Sequence, residues 1–299
     1  PLKQLCGWFI ICQDFLCEVY MAKLPSYALD VRLIALDLDD TLLDSNRKIS
    51  DKNVQVLQEC VRRGIYVVLC SGRAEDGILP FVRRMDIAGS EFGKFIIAIN
   101  GCSVFDMHER KQIYTCSVDS SVLLKANSEA EKMGLRSEVY SPDTIFYAEE
   151  TPWTRKDVDM CGLKGKVIDD YETFLREKKF PKMLVPGEPE TLQVLQKKLK
   201  DELGDSAVIF TSKPYFLEIL PPNCGKGESI NWLADYIGIP RSSTMGFGDS
   251  MNDESMIAKC GYGVCMSNGI DYIKNAADFI TEKDNDSSGV GDFIEKYVL

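Results

Sequence analysis

The sequence predicts an α/β fold: a Rossmann-like parallel-sheet core into which a second, α+β domain is inserted. Three features of the 299-residue chain point to it. From Val31 onward, short apolar runs alternate with helical patterns, the rhythm of βαβ units. Between about Cys102 and Pro214 the strands instead alternate polar and apolar residues, which marks an antiparallel sheet with one wet face. From "TMGFG" onward the first rhythm returns. The expected organisation is a core of residues 21–101 and 215–299, with residues 102–214 as the inserted domain.

Taken in order, Val31 to Leu38 reads as the first strand. Ser50 is placed to cap a helix whose apolar face is Val54, Leu57, Cys60 and Val61, and Gly64 is placed to end it. "IYVVLC" (Ile65 to Cys70) has the unbroken apolar character of a strand covered on both faces, a helix is expected near Ala74 to Met85, and "FIIAI" (Phe95 to Ile99) is a third buried strand. In the insert, "SVFDMHERKQIYTC" reads as a hairpin and "DTIFYAEE" as a further strand. Helices fit Ser121 to Met133 and Glu190 to Leu203, where Leu192, Leu195, Leu199 and Leu203 share a face. "YFLEIL" (Tyr215 to Leu220) is expected to return the chain to the core, followed by a helix from Lys226, the strands "TMGFG", "YGVCM" and "DFIT", and a helix around Val290 to Tyr297.

Composition narrows the function. The net charge is −11 with no Lys/Arg block, which excludes the electrostatic footprint of a nucleic-acid or anionic-membrane binder. Any phosphate site must therefore bring its own cation. The chain has 11 cysteines and no C-x-x-C pair, several of them inside apolar runs; this reads as reduced thiol in a cytoplasmic protein and argues against zinc. The single histidine, His108, falls in a polar turn, a poor place for a Ser-His or Cys-His nucleophile. In residues 1–20, Leu5, Trp8, Phe9, Ile11 and Cys12 form a crude helical stripe that Gln13 and Asp14 break far short of a membrane span. The expectation is an upstream extension ahead of a natural start at Met21, with an amphipathic partner-binding helix as the alternative.

Four loops carry the chemistry: "DLDDT", "SGR", "GKG" and "GDSMND". In open α/β sheets ligands bind at the carboxyl ends of the strands, where such loops collect. Asp37 and Asp39, two apart, face the same way on an extended backbone. Two close carboxylates repel unless a hard divalent cation with oxygen ligands, Mg²⁺, lies between them; Asp249 and Asp253 can supply further oxygens. A carboxylate nucleophile splits phosphate-ester hydrolysis into two steps, and Asp37 suits that role with Asp39 as acid and then base. Ser71, the amides around Gly72 and Lys226 at a helix start can hold phosphoryl oxygens, and Asn252 can seat them or brace the Asp253 loop. Arg73, Asn100 and Gly101 follow core strands and are candidates for substrate contact.

These residues resemble the motifs of the haloacid dehalogenase superfamily, specifically its Cof-like group with a large α/β cap inserted after the third core strand. "DLDDTLL", "SGR", Lys226 in "GKG" and "GDSMND" match its four motifs in order, and the likeness runs from about Val31 to Leu299. The resemblance implies an aspartyl-phosphate phosphatase: Asp37 as nucleophile, Asp39 as acid/base, Ser71 and Lys226 as phosphate ligands. It also implies Mg²⁺ held by the Asp37 side chain, the Asp39 carbonyl and Asp249 with Asp253 close by, and a cap that closes over small phosphorylated metabolites such as sugar phosphates. Gly225 departs from the larger or hydroxylated residue common in the family. A phosphomutase on the same scaffold and a non-enzymatic phospho-acceptor are the alternatives; the size of the insert favours the hydrolase over the first, and Asp39 argues against the second. In the cap, Tyr147, Trp153, Arg155 and Lys156 can line the closing face, with Trp153 read rather as core and Lys156 as solvated surface.

Overall fold

The computed structural model describes residues 23–299; the expectations for residues 1–20 lie outside them. The chain opens with β1 (Leu33–Leu36), α1 (Asp51–Arg62), β2 (Tyr66–Cys70), α2 (Glu75–Met85) and β3 (Phe95–Ala98). β4 (Ser103–Asp106) and β5 (Lys111–Thr115) follow as a hairpin whose turn carries the exposed His108. Next come α3 (Ser120–Lys132), β6 (Glu138–Tyr140), β7 (Thr144–Tyr147), α4 (Pro152–Cys161), β8 (Lys164–Val167), α5 (Tyr171–Glu177), β9 (Met183–Pro186), α6 (Pro189–Leu203), β10 (Val208–Lys213) and β11 (Phe216–Leu220). The chain closes with α7 (Lys226–Tyr236), β12 (Thr244–Gly248), α8 (Glu254–Lys259), β13 (Tyr262–Cys265), α9 (Asp271–Ala276), β14 (Phe279–Ile280) and α10 (Gly289–Tyr297).

Two sheets result. The larger runs β14-β13-β12-β1-β2-β3-β4-β5, parallel from β14 to β3 and antiparallel from β3 to β5. Its central strands are buried on both faces, as their unbroken apolar runs require. Ile34, Leu36, Val67 and Leu69 pack with Leu57, Val290 and Phe293 on one side; Leu33, Ala35, Val68 and Cys70 pack with Ile230, Leu233 and Met256 on the other. Ser50 caps α1 by accepting from the Asn53 amide, and Gly64 ends the turn beyond it in the left-handed region.

The smaller sheet, β10-β11-β9-β6-β7-β8, is antiparallel except at the β7–β8 edge. Val139, Val185, Leu217 and Ile219 on one face bury against Leu123, Leu175, Leu192, Leu195 and Leu199 from α3, α5 and α6, a core of its own. Tyr140, Leu184 and Phe216 on the opposite face join the core of the larger unit.

The expected boundaries shift at both ends. Residues 102–115 were assigned to the insert, yet β4 and β5 extend the larger sheet through the pairs Ile97↔Val104 and Val104↔Tyr114. Their one wet face is that of an antiparallel edge, which a mainly parallel sheet accommodates as readily as a separate domain does. "YFLEIL" was assigned to the core, but β11 pairs with β9 and β10 in the smaller sheet. The chain then re-enters the core directly at α7, so the "GKG" loop follows no core strand.

Candidate active site

The carboxyl ends of β1, β2, β3 and β12 form one edge of the larger sheet, and the smaller sheet stands over it. Between them lies a cavity of about 290 Å³ lined from the core side by Asp37, Asp39, Ser71, Gly72, Arg73 and Asn100, among others.

Asp37 is the first residue past β1. Its amide donates to the Phe247 carbonyl (3.0 Å), extending the β1–β12 ladder one step and fixing its backbone. The chain then leaves the strand: Asp39 is still extended, Asp40 turns into the left-handed region (φ 61°), and the Leu43 amide closes on the Leu38 carbonyl (2.9 Å). Buried Leu38 and Leu42 anchor this turn. Asp37 and Asp39 both line the cavity, on backbone that is extended at each. Asp37 is 5% exposed and points into the molecule, whereas Asp39 is gripped by Arg73 through Nε–Oδ2 (2.9 Å) and Nη2–Oδ1 (2.7 Å).

Asp37, Asp249 and Asp253 each bring a carboxylate oxygen to within 4.8 Å of the others. Asp253 is held hard: Oδ2 accepts from the amides of Asp249 (2.9 Å) and Ser250 (3.1 Å), and Oδ1 accepts from Lys226 Nζ (2.6 Å). Gly248 permits this, since a Cβ there would collide with the Asp253 side chain. Lys226, fully buried at the start of α7, also donates to Asp37 Oδ1 (2.5 Å). Thr41 donates to Asp249 Oδ1 (2.9 Å).

Three carboxylates thus face one ammonium. Burial pushes Asp37 well above the ordinary carboxylate range despite Lys226, and the charges of Asp253 and Asp249 add to it. Asp249 rises to about 7 through burial and the nearby Asp253 charge. Lys226 is raised too: burial disfavours its charge, but Asp253 and Asp37 more than offset that and hold its proton. Burial also opposes ionisation of Asp39, and there the Arg73 hydrogen bonds and charge win, holding it below its usual value. An all-oxygen cluster with excess negative charge is what a hard divalent cation neutralises, so the residues fit one. With Asp253 engaged by Lys226 and two amides, Asp37 and Asp249 retain the freer oxygens.

The remaining candidates divide. Ser71 lines the cavity, its hydroxyl accepting from the Arg73 amide (3.2 Å). Asn100 (φ 51°) receives Asn252 Nδ2 at Oδ1 (3.3 Å) and donates to Glu218 in β11 (3.0 Å). Gly101, expected to touch substrate, does not reach the cavity. It sits at φ 97° with its Cα against the Gly225 carbonyl, a close approach that only glycine allows. Gly225 itself is extended, and a Cβ there would crowd Glu228 and Ser255.

Three charged residues on the overhanging side were not anticipated. Lys182 and Glu218 form a buried pair (3.4 Å), and Lys182 also reaches the Gly72 carbonyl (3.4 Å) and the Tyr140 ring (4.2 Å). Asp157 accepts from the Tyr140 hydroxyl. All three line the cavity. Their signal was present: Glu218 and Lys182 each interrupt or adjoin an apolar run, the feature that marks Asp37. Tyr147 is buried behind this face and bonded to Glu150; Arg155 is exposed and paired with Asp159. Trp153 is half-buried and stacks on Tyr215, and Lys156 is not free surface, since its Nζ lies 3.4 Å from the Tyr215 ring centroid.

Residues 34–294 match the family model of haloacid dehalogenase-like hydrolases. The chain belongs to that family and is an enzyme of its phosphate-ester-cleaving kind. A crystal structure of a haloacid dehalogenase-like hydrolase from Bacteroides thetaiotaomicron superposes with a TM-score of 0.79 at 31% identity, covering 89% of this chain and 99% of that one. The TM0651 structure from Thermotoga maritima gives 0.78 at 26%, covering 90% and 98%. A 5-amino-6-(5-phospho-D-ribitylamino)uracil phosphatase of Bacillus subtilis, YwtE, is 29% identical over 89% of this chain and 98% of its own length. Among the described residues no helix is long and apolar enough to cross a membrane.

Proposed function

We propose that the protein is a Mg²⁺-dependent phosphatase of small phosphorylated metabolites, working through an aspartyl-phosphate on Asp37. The observation that carries this is the convergence of Asp37, Asp249 and Asp253 around one buried lysine beneath a cavity closed by the second sheet. Asp37, Asp249 and the Asp39 carbonyl would hold the cation, with Asp253 bracing Lys226 and the Asp249 loop. Bound there, the cation would neutralise the carboxylates and the incoming phosphoryl charge.

Asp37 then attacks phosphorus while Ser71, the Gly72 amide and Lys226 bind the non-bridging oxygens. Asp39 gives a proton to the leaving alkoxide and takes one from the water that opens the acyl-phosphate. Its pairing with Arg73 favours the ionised form that the second step requires; the first step requires Arg73 to release it, and a substrate phosphate or hydroxyl lets it do so. Asn100, Lys182, Glu218 and Asp157 supply a polar wall for a hydroxylated leaving group. A cavity of this size and polarity suits a small metabolite.

The test is a panel of phosphorylated metabolites assayed for phosphate release with Mg²⁺ and with chelator, using Asp37→Asn as the blank. Turnover should need both the metal and Asp37, and the variant should fall roughly 10⁴-fold or more. Phosphate release by Asp37→Asn at the wild-type rate would remove the nucleophile from the scheme.

A further inference from the structure

Three cysteines meet on the far side of the Lys226 loop, away from the cavity. Cys102 follows the Asn100–Gly101 turn, Cys224 lies two residues before Lys226, and Cys116 follows β5. Cys102 Sγ and Cys224 Sγ are 3.2 Å apart. Cys116 bonds through its amide to the Cys102 carbonyl (2.8 Å), and its thiol sits beside Cys224 and the Tyr114 hydroxyl (2.9 Å). All are free thiols. Cys102 is fully buried, Cys224 is 5% exposed and Cys116 is half-buried, so the cluster opens outward at Cys116.

We infer that Cys102 and Cys224 form a reversible dithiol site whose oxidation by a peroxide displaces the Lys226 loop and slows the enzyme. The displacement rests on the role of Lys226 proposed above; the dithiol does not. Cys224 stands just ahead of the amino end of α7, where unpaired amides favour a thiolate. The Cys102 thiol donates to it and holds its pKa below the ordinary thiol value, against a rise from burial. Cys102 itself is pushed well up by burial, so the two thiols differ as attacking and resolving partners do.

The Cys224 thiolate attacks one peroxide oxygen, the O–O bond breaks, and a sulfenic acid forms as the departing oxygen leaves as water. The Cys102 sulfur then attacks the sulfenic sulfur, the S–O bond breaks, and a second water leaves. Two thiols lose two electrons and two protons, and one peroxide becomes two waters.

Closing the sulfurs from 3.2 Å to about 2.05 Å requires movement. The backbones beside them are already in contact: Gly101 abuts the Gly225 carbonyl, and Ser229 Oγ lies against the carbonyls of both Gly101 (2.5 Å) and Gly225 (3.0 Å). The two strands of chain cannot slide closer, so the shift falls on Cys224 and, two residues on, Lys226. A displacement of ~1 Å at such a group can cost ~100-fold in rate.

The full-length protein is treated with hydrogen peroxide, mapped by non-reducing peptide mass spectrometry, and assayed with p-nitrophenyl phosphate and Mg²⁺ before and after dithiothreitol. A Cys102–Cys224 peptide pair should appear with turnover lowered roughly tenfold or more, and dithiothreitol should reverse both. Cys102→Ser should keep its turnover through the treatment; if it does not fold, Cys224→Ala serves the same purpose. Absence of the pair, with both thiols still alkylatable, overturns the site. A pair without a rate change overturns the displacement, and an equal loss in Cys102→Ser assigns the inhibition elsewhere. Protein inactive before oxidation would count against the phosphatase reading alone, since the mapping still reports on the dithiol.

Discussion

Two clusters of buried carboxylates around a single lysine face the same cavity from opposite sides, and they solve the burial problem differently. In the core, Asp37, Asp249 and Asp253 crowd within 4.8 Å around Lys226, leaving negative charge in excess. On the cap side, Glu138, Asp157 and Glu218 are spread over β6, α4 and β11, with Tyr140 and Lys182 among them. There burial favours the neutral form of Glu138: desolvation, and then the Asp157 charge, raise its carboxyl well above the usual range. Its Oε2 has no hydrogen-bond partner among the described residues. The core cluster concentrates charge, as the proposed cation site requires; the overhanging cluster disperses it into neutral and paired groups, as the proposed contact with a hydroxylated leaving group requires. One residue vocabulary thus builds a charge-concentrating floor or a charge-dispersing roof according to how closely the carboxylates are packed.

Substitutions can break that contrast. Asp39→Asn should lower turnover by ~10²–10⁴ while leaving Mg²⁺ affinity nearly intact by calorimetry, because only its carbonyl is assigned to the metal; equal losses in both would make Asp39 structural. Lys226→Met should cost ~10²–10³ in turnover. It should also lower the melting temperature, because the three carboxylates then lose the buried ammonium of Lys226; added Mg²⁺ should restore the stability more than the activity.

Lys182→Met tests the roof alone. With the best metabolite found, KM should rise about tenfold while kcat on p-nitrophenyl phosphate, which has no hydroxylated leaving group, stays near wild type. A kcat loss on both substrates would move Lys182 into the floor.

Glu138→Gln should change turnover least, and its effect is read in stability against pH. Below the unfolded-state value of ~4.3 both states carry the proton. Above it the unfolded chain ionises while the buried group does not, so the wild type loses ground to the variant by about 1.4 kcal/mol per pH unit until the raised folded value is reached. Chemical denaturation of both proteins at pH 5, 6 and 7 reads this directly; a pH-independent difference would mean that Glu138 is ionised in the folded protein.

Much of this was legible in order along the chain. Ser50, Gly64 and the apolar runs of β1, β2 and β3 fall where local rules put them, because caps, φ > 0 turns and doubly buried strands depend on neighbours in sequence. Asp37, Asp249 and Asp253 could be singled out because charge behind an apolar run is costly and demands a reason, whereas Lys226 in "GKG" gained meaning only from the order of the four loops. The wet-faced hairpin of β4 and β5 and the Glu-bearing β11 were placed in the wrong units. A strand's own residues specify which faces are dry, but not which sheet supplies its hydrogen-bonding partners. Arg73, expected to meet substrate, lines the cavity and there grips Asp39; Gly101 was expected in the site and instead supports the chain behind it.

The sequence by itself determined the local geometry and the inventory of reactive groups, because dihedral preference and burial cost are properties of short segments. Only the tertiary structure decided which of those groups share a dielectric cavity: that Lys226 lies between Asp37 and Asp253, and that Lys182 and Glu218 descend from the cap onto Gly72 and Asn100. Coulomb and hydrogen-bond energies depend on distances through space, and residues 189 positions apart acquire such distances only when the chain has folded.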